Sequence, residues 1–220
     1  MDAIELNNSP YAKLFFPAIV EGEKNDSGDI KYSAKFGIPN SPEAFKGIKG
    51  ITDTQIDQLI KMSAKFKDKV MAAAKSEVAK GGKLSNLFKS GDEVAEQAIA
   101  DFEEMNEGKP VPEYLSATRG FWLISARTNY KPQVFGPKAS QGVLSDDEAN
   151  AAIYSGCWAR ADFRGYAWNY QGKKGWSLGL GARVQKWMDD TNLGGGNAVE
   201  APEDAMEIAV PSASSDDFID

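Results

Sequence analysis

Residues 156 to 188 alternate between two kinds of side chain with a period of two. Aromatic and charged residues take one set of positions, and mostly small residues take the other. Because successive side chains of a β-strand point to opposite faces, this period predicts strands with an aromatic, cationic face and a closely packed face. The first set is Trp158, Arg160, Asp162, Arg164, Tyr166, Trp168 and Tyr170, and the second is Cys157, Ala159, Ala161, Phe163, Gly165 and Ala167.

Aromatic rings interleaved with arginines on one sheet face are typical of a platform that stacks unpaired bases and pairs with phosphates. The alternative is that Trp158 and Trp168 belong to the core and the arginines form its rim. That alternative is weakened because arginine is rarely buried unless it is paired. We expect Asp162 to pair with one of the arginines. The predicted DNA-binding residues are Trp158, Arg160, Arg164, Tyr166, Trp168, Tyr170, Arg127, Lys173, Lys174, Trp176 and Arg183.

Charge is distributed unevenly along the chain. The formal net charge is −7, yet nine acidic residues and no Lys or Arg follow Met188. Residues 1–188 therefore carry 25 basic against 23 acidic side chains, and residues 119–187 carry ten basic against four acidic. This asymmetry predicts a body that binds a polyanion and a separate acidic tail.

The composition offers little for catalysis. The chain has no His and one Cys, Cys157, which excludes histidine-based catalysis and an intrachain disulfide. The acidic run 146–148 is more typical of a helix N-terminus than of a metal site. Residues 178–183, LGLGAR, lack the phosphate-loop motif, and their glycines indicate strand bends or a close backbone approach. We expect no enzymatic activity, no cofactor and no metal.

The N-terminal residues resemble no signal peptide, and no apolar run has the length of a membrane helix. We therefore expect a protein without a membrane partner that works in the cytoplasm. Self-association is left open.

The predicted fold class is mainly β with an α-helical insertion (α+β). Strands are predicted over 10–20, 30–39 and 118–130, followed by two strands joined by a QGKKG hairpin. Helices are predicted over 52–80, from Ser90 or Asp92 to Gly108, and briefly after Ser145. Five strands fit the OB-fold barrel, which binds oligonucleotides, although strand count alone does not exclude other small barrels. The predicted domains are 1–188, with the helical insertion at about 40–109, and a disordered acidic tail, 189–220.

The chain ends in SSDDFID, in which acids surround two apolar side chains. One interpretation is a tail that only keeps the protein in solution. The other is a docking peptide for a basic pocket on another protein, or a competitor of DNA for the chain's own basic groove. The predicted partner-binding residues are Asp216, Asp217, Phe218, Ile219 and Asp220.

The segment 153–190, IYSGCWARADFRGYAWNYQGKKGWSLGLGARVQKWMDD, resembles a bacteriophage single-stranded DNA-binding protein family, formerly a domain of unknown function. PYAKLFFP and KYSAKFGIP also resemble the first two strands of that family, so the likeness covers most of residues 10–190. The resemblance implies an OB fold and sequence-independent binding of unpaired DNA during phage replication or recombination. The tail tip is similar to the acidic-aromatic tips of bacterial and phage single-strand binding proteins, which implies that it recruits replication or recombination proteins. It differs from those tips because it ends in Asp220 instead of an aromatic residue.

Two alternative functions remain at this point. One is a protein that binds single strands in order to anneal them for recombination. The other is a phage structural or adaptor protein whose aromatic strands form a subunit interface.

Overall fold

The computed structural model describes residues 4–78, 84 and 87–194. Within these residues the chain forms eight β-strands and three α-helices. The strands are β1 (Ile4–Leu6), β2 (Ala12–Lys24), β3 (Ile30–Pro39), β4 (Lys89–Ser90), β5 (Phe121–Thr128), β6 (Gln133–Phe135), β7 (Trp158–Tyr170) and β8 (Lys173–Met188). The helices are α1 (Asp53–Glu77), α2 (Gly91–Met105) and α3 (Asp146–Ala152).

All eight strands belong to one sheet. Its order is β4-β5-β3-β2-β7-β8-β6, and β1 pairs with β7 beside β2. The neighbours are antiparallel, except that β6 runs parallel to β8. The predicted class, mainly β with helices inserted between strands, is confirmed. The sequence did not predict β1, β4 and β6, because strands of two or three residues are too short to show a period.

The helices begin where their side chains can cap them. Thr52 and Gln55 form a capping box at the start of α1, as predicted, and Ser145 forms one with Glu148 at the start of α3. Ser90 caps α2, which ends at Met105, a turn earlier than predicted. The predicted stop of α1 at Gly81 and Gly82 lies outside the described residues.

Helix α1 packs against the sheet, as predicted for the insertion. Its Phe66 ring lies 5.9 Å from the ring of Phe163 on β7, and Val70 joins the same apolar cluster. Cys157 is a small core residue, as predicted, and burial raises the pKa of its thiol. The small face of β7 is therefore the inner face.

A second apolar cluster surrounds Trp158. This side chain is 0% exposed, and its ring stacks on Phe45 at 5.2 Å between centroids. Trp187 contacts the ring edge-on at 5.9 Å, and the indole Nε1 donates to Asp190 Oδ2 at 2.9 Å. The pairing of β7 with β8 shifts between Trp158 and Ala159, and both of these neighbours are buried. The extra residue of this shift is Trp187 on β8, so Trp158 and Ala159 still face opposite clusters. The prediction that Trp158 is exposed is wrong because the second apolar cluster covers this end of its face.

The packed body continues beyond Met188. The Asp190 carboxylate lies 2.8 Å from Lys13 Nζ, and Asp189 accepts from Lys186 at 2.8 Å. Partial burial raises the pKa of Asp189, but the bonds from Lys186 and Tyr154 outweigh it and leave the pKa below its usual value. Leu193 donates its backbone N–H to Ser155. Residues 189–194 are thus bonded to the body, and the rest of the predicted tail, 195–220, lies outside the described residues.

Candidate nucleic-acid interface

A groove of about 730 Å³ opens beside the distal half of the β7–β8 hairpin. Residues of β2, β3 and β5 form the other sides of the groove. Its lining combines exposed aromatic rings, two cationic side chains, several hydroxyls and a few buried apolar groups. The lining residues are Phe15, Phe16, Glu23, Ser33, Ala34, Lys35, Leu87, Ser125, Ala126, Arg127, Tyr166, Trp168, Trp176, Ser177 and Leu178.

Tyr166 and Trp168 lie on the outer face of β7 over glycines of β8. Tyr166 is 41% exposed and Trp168 is 38% exposed. Trp168 pairs with Gly175, where a Cβ would overlap the six-membered ring, and its Nε1 donates to Ser177 Oγ at 3.0 Å. A Cβ at Gly179 would lie 3.4 Å from the Tyr166 ring. The absence of side chains at these glycines lets both rings lie across the neighbouring strand with area left for a base.

Phe16 is a third exposed ring, and the sequence analysis missed it. It is 72% exposed and has a φ of 49°, in the left-handed region that a bulky residue rarely adopts. A bulge between Phe15 and Ala18 places it there, and its backbone N–H donates to Ser155 Oγ at 3.2 Å. Two successive Phe residues in a strand cannot both face the core, so the FFP motif could have indicated an outward ring.

Two cations accompany these rings. Arg127 is exposed on β5, and Lys35 on β3 has its Nζ 5.8 Å from the centroid of Phe16. Ser33 pairs with Arg127 and Lys35 pairs with Ser125, so these four side chains share one sheet face. Glu23 is the acidic residue of the lining, which leaves the groove with a net positive charge.

The remaining predicted arginines lie along the outer face of the β7–β8 hairpin. Arg164 is exposed, and its Nε lies 2.9 Å from Glu5 Oε1. Arg183 donates to Asp162 Oδ2 at 2.6 Å, so the predicted pairing of Asp162 is confirmed. The hydrogen bond and the charge of Asp162 raise the pKa of the Arg183 guanidinium. Arg160 donates to Gln185 at 2.9 Å.

The hairpin tip carries the two predicted lysines. Gln171 and Gly172, both with positive φ, form its two-residue turn, and Tyr170 pairs with Lys173 on either side. Lys173 and Lys174 are exposed at the start of β8. The side chain of Tyr170 lies outside what the structure describes.

Trp176 differs from its prediction. It is 3% exposed, and a Cβ at Gly165 would overlap its ring, so the indole packs against the backbone of β7. Its position opposite Ala167 places it on the inner face of the hairpin. The ring lacks the free area that stacking requires. Within the described residues, its Nε1 is a buried donor without a hydrogen-bond partner.

The predicted tail residues, Asp216, Asp217, Phe218, Ile219 and Asp220, lie outside the described residues. In the part of the chain that is described, no three His, Cys, Asp or Glu side chains come together as a candidate metal site. None of the described helices is long and apolar enough to cross a membrane.

The family model described as the ssDNA-binding protein of Enterobacter phage Enc34 matches residues 6–219. The chain belongs to this family. The match covers nearly the whole chain and confirms the resemblance seen in residues 10–190. No curated protein matches the chain.

Solved structures of the single-stranded DNA-binding protein from bacteriophage Enc34 share the fold. The structure in complex with ssDNA gives a TM-score of 0.52 at 24% identity and covers 88% of this chain and 90% of that one. A second structure of that protein gives a TM-score of 0.50 at 24% identity and covers 90% of this chain and 87% of that one. A C-terminal truncation gives 0.50 at 21%, covering 87% and 88%.

Proposed function

We propose that this protein binds single-stranded DNA without sequence preference during phage DNA replication or recombination, in the cytoplasm of the infected cell. The observation that carries the proposal is the groove, in which three exposed rings meet Lys35 and Arg127 on one surface. Every base presents a flat face to such rings, so stacking tolerates any sequence. Membership of the ssDNA-binding family supports the same function. The role is binding, without a chemical reaction.

The strand order supports an OB barrel as the more specific fold. Strands β2, β3 and β5 form a meander, β7 and β8 form a hairpin, and β2 pairs with β7. Strands β5 and β8, the two ends of this five-stranded set, also approach each other. A Cβ at Gly179 on β8 would lie only 3.4 Å from the Arg127 carbonyl oxygen on β5. The groove lies on β3 and β5 between the β2–β3 and β7–β8 hairpins. OB folds bind oligonucleotides at the equivalent surface.

Arg127, Lys35, Lys173 and Lys174 are the proposed phosphate contacts of the groove and its hairpin tip, and Tyr170 is retained from the sequence as a stacking candidate. Trp158 and Trp176 are excluded, because burial leaves neither ring a free face. The tail tip, residues 216–220, is proposed as a docking peptide for replication or recombination proteins on the strength of its composition.

A fluorescence titration of the full chain tests the proposal. Oligothymidine is expected to quench tryptophan emission, since the exposed Trp168 ring would stack on a base, whereas a duplex of the same length is not. Raising the salt concentration should weaken binding, with a log–log slope of about −0.7 for each phosphate contacted. Absence of quenching and of any mobility shift with single strands would favour the structural or adaptor hypothesis instead.

Phe16→Gly is expected to weaken single-strand binding by about 5- to 100-fold, because one stack contributes about 1–3 kcal/mol. The free energy of unfolding should change by less than about 1 kcal/mol, because two effects oppose each other. Glycine adopts the positive φ without strain, but it also gives the unfolded chain more conformational entropy. Oligothymidine titration and urea unfolding measure the two effects. Unchanged DNA affinity would remove Phe16 from the interface.

A further inference from the structure

A second concave site of about 270 Å³ lies where the pairing of β7 with β8 shifts between Ala161 and Phe163, and it shares no lining residue with the groove. Asn8 and β6 flank it. Its polar and aromatic lining consists of Asn8, Phe135, Arg160, Asp162, Arg183 and Gln185. Two guanidinium groups and one carboxylate give this lining a net positive charge.

Each guanidinium group makes a hydrogen bond through its Nε, and the Arg160 group also lies over the Tyr11 ring, with Cζ 5.6 Å from the ring centroid. Arg183 Nε donates to Asp162 Oδ2 at 2.6 Å, and Asp162 Oδ1 also accepts from the backbone N–H of Asn8 at 3.0 Å. Arg160 Nε donates to Gln185 Oε1 at 2.9 Å. A guanidinium carries five N–H donors, and an Nε bond uses only one of them. These contacts orient each group, and among the described residues no hydrogen bond engages its terminal nitrogens, which are left as donors.

The register sets the two arginines side by side. Arg160 pairs with Gln185, and Arg183 lies two residues from Gln185 on the same strand. The β7–β8 pairing shifts just beyond Val184, and both side chains line the same cavity, where long arginine side chains can reach one anion. Two oriented forks around one cavity are suited to a phosphate group, whose oxygens accept several charge-assisted hydrogen bonds.

We propose that this cavity binds a backbone phosphate of the DNA strand after the strand has left the groove. The inference rests on the proposed function. Arg160, Arg164, Tyr166 and Trp168 occupy alternate positions of β7, so they lie on one face of the strand. From Trp168 to Arg160 this face extends for about 26 Å, at about 3.3 Å per residue. The exposed Arg164 lies between the groove and the cavity and continues the positive track.

The test compares oligothymidines of about 5 and about 15 nucleotides, within the range of about 4–16 nucleotides that one OB fold covers. One variant is Arg160→Gln. A second combines Arg160→Gln and Arg183→Gln with Asp162→Asn, so that no carboxylate is left buried without a partner. Each lowers the net charge by one, as does the control Lys65→Gln on the exposed face of α1. Thermal unfolding confirms that all variants are folded.

Both cavity variants are expected to bind the short strand as the original protein does. They should bind the long strand about tenfold more weakly than the control does, with a salt slope smaller by about 0.7. Long-strand affinity equal to that of the control would overturn the proposal. A second result would also overturn it: inorganic phosphate raises the unfolding temperature of the original protein but not of the cavity variants, while the variants keep their affinity for the long strand. The site would then bind free phosphate instead of DNA. Failure of the unmodified protein to bind even the short strand would instead refute the proposed function.

Discussion

Replacing Tyr166 and Trp168 together by alanine is expected to weaken single-stranded DNA binding by about 30-fold or more. Each base stacked on a ring contributes about 1–3 kcal/mol, and each 1.4 kcal/mol is about tenfold in affinity. Both rings are partly exposed in the groove and lie over the glycines of β8. Titration of the full chain with oligothymidine by anisotropy measures the loss without depending on tryptophan emission.

The dependence on salt separates stacking from charge. The double variant removes no cation, so its log–log salt slope should equal that of the unmodified protein, whereas Arg127→Ala should reduce the slope by about 0.7. Tyr114→Ala is the matched control, because this ring is 59% exposed but lies outside the groove. If the double variant binds oligothymidine within twofold as tightly as this control does, the DNA does not bind in the groove.

Trp158→Ala is expected to lower the free energy of unfolding by about 3–5 kcal/mol, the typical cost of truncating a large buried aromatic residue. The ring is fully buried among Phe45, Phe121 and Trp187, so alanine would leave a cavity. The change also removes the indole donor to Asp190. Urea unfolding followed by circular dichroism measures the loss, and Trp158→Phe should cost less because it keeps most of the volume.

The same variants test the corrected position of Trp158. At a temperature where Trp158→Phe is fully folded, we expect its affinity for oligothymidine to be within about threefold of the original, because the side chain does not line the groove. A folded Trp158→Phe protein with normal stability and strongly reduced DNA binding would contradict this placement and restore the ring to the interface.

The local sequence pattern was sufficient to predict a strand or helix wherever one face of that element carries a single kind of side chain along its length. The period of two over β3 and β7 predicted both strands, and the caps at Thr52, Ser90 and Ser145 placed the helix starts. The small residues of β7 identified its inner face, where Gly165 leaves room for the Trp176 ring of β8. Tyr166, Trp168 and Arg127 were predicted as site residues and line the groove.

The departures depend on contacts between distant segments. Tyr11, Phe45 and Trp187 cover Trp158 on its own face, and a bulge after Phe15 turns Phe16 outward with a positive φ. A bulge depends on how two distant segments pair, so the sequence of one strand does not reveal it. The sequence also did not identify Lys35 as a site residue, because its role depends on which residues of β5 and β2 lie beside it.

The amino-acid sequence by itself determined the five long strands and the helix starts, the separation of a basic body from an acidic tail, and the family. These properties depend on periodicity, capping and charge along short stretches of chain. Only the tertiary structure decided which rings are exposed, where the groove opens, and which arginines are tied to Asp162 and Gln185. Those properties depend on sheet register and bulges, which bring together residues more than 100 positions apart, such as Phe16 and Trp168.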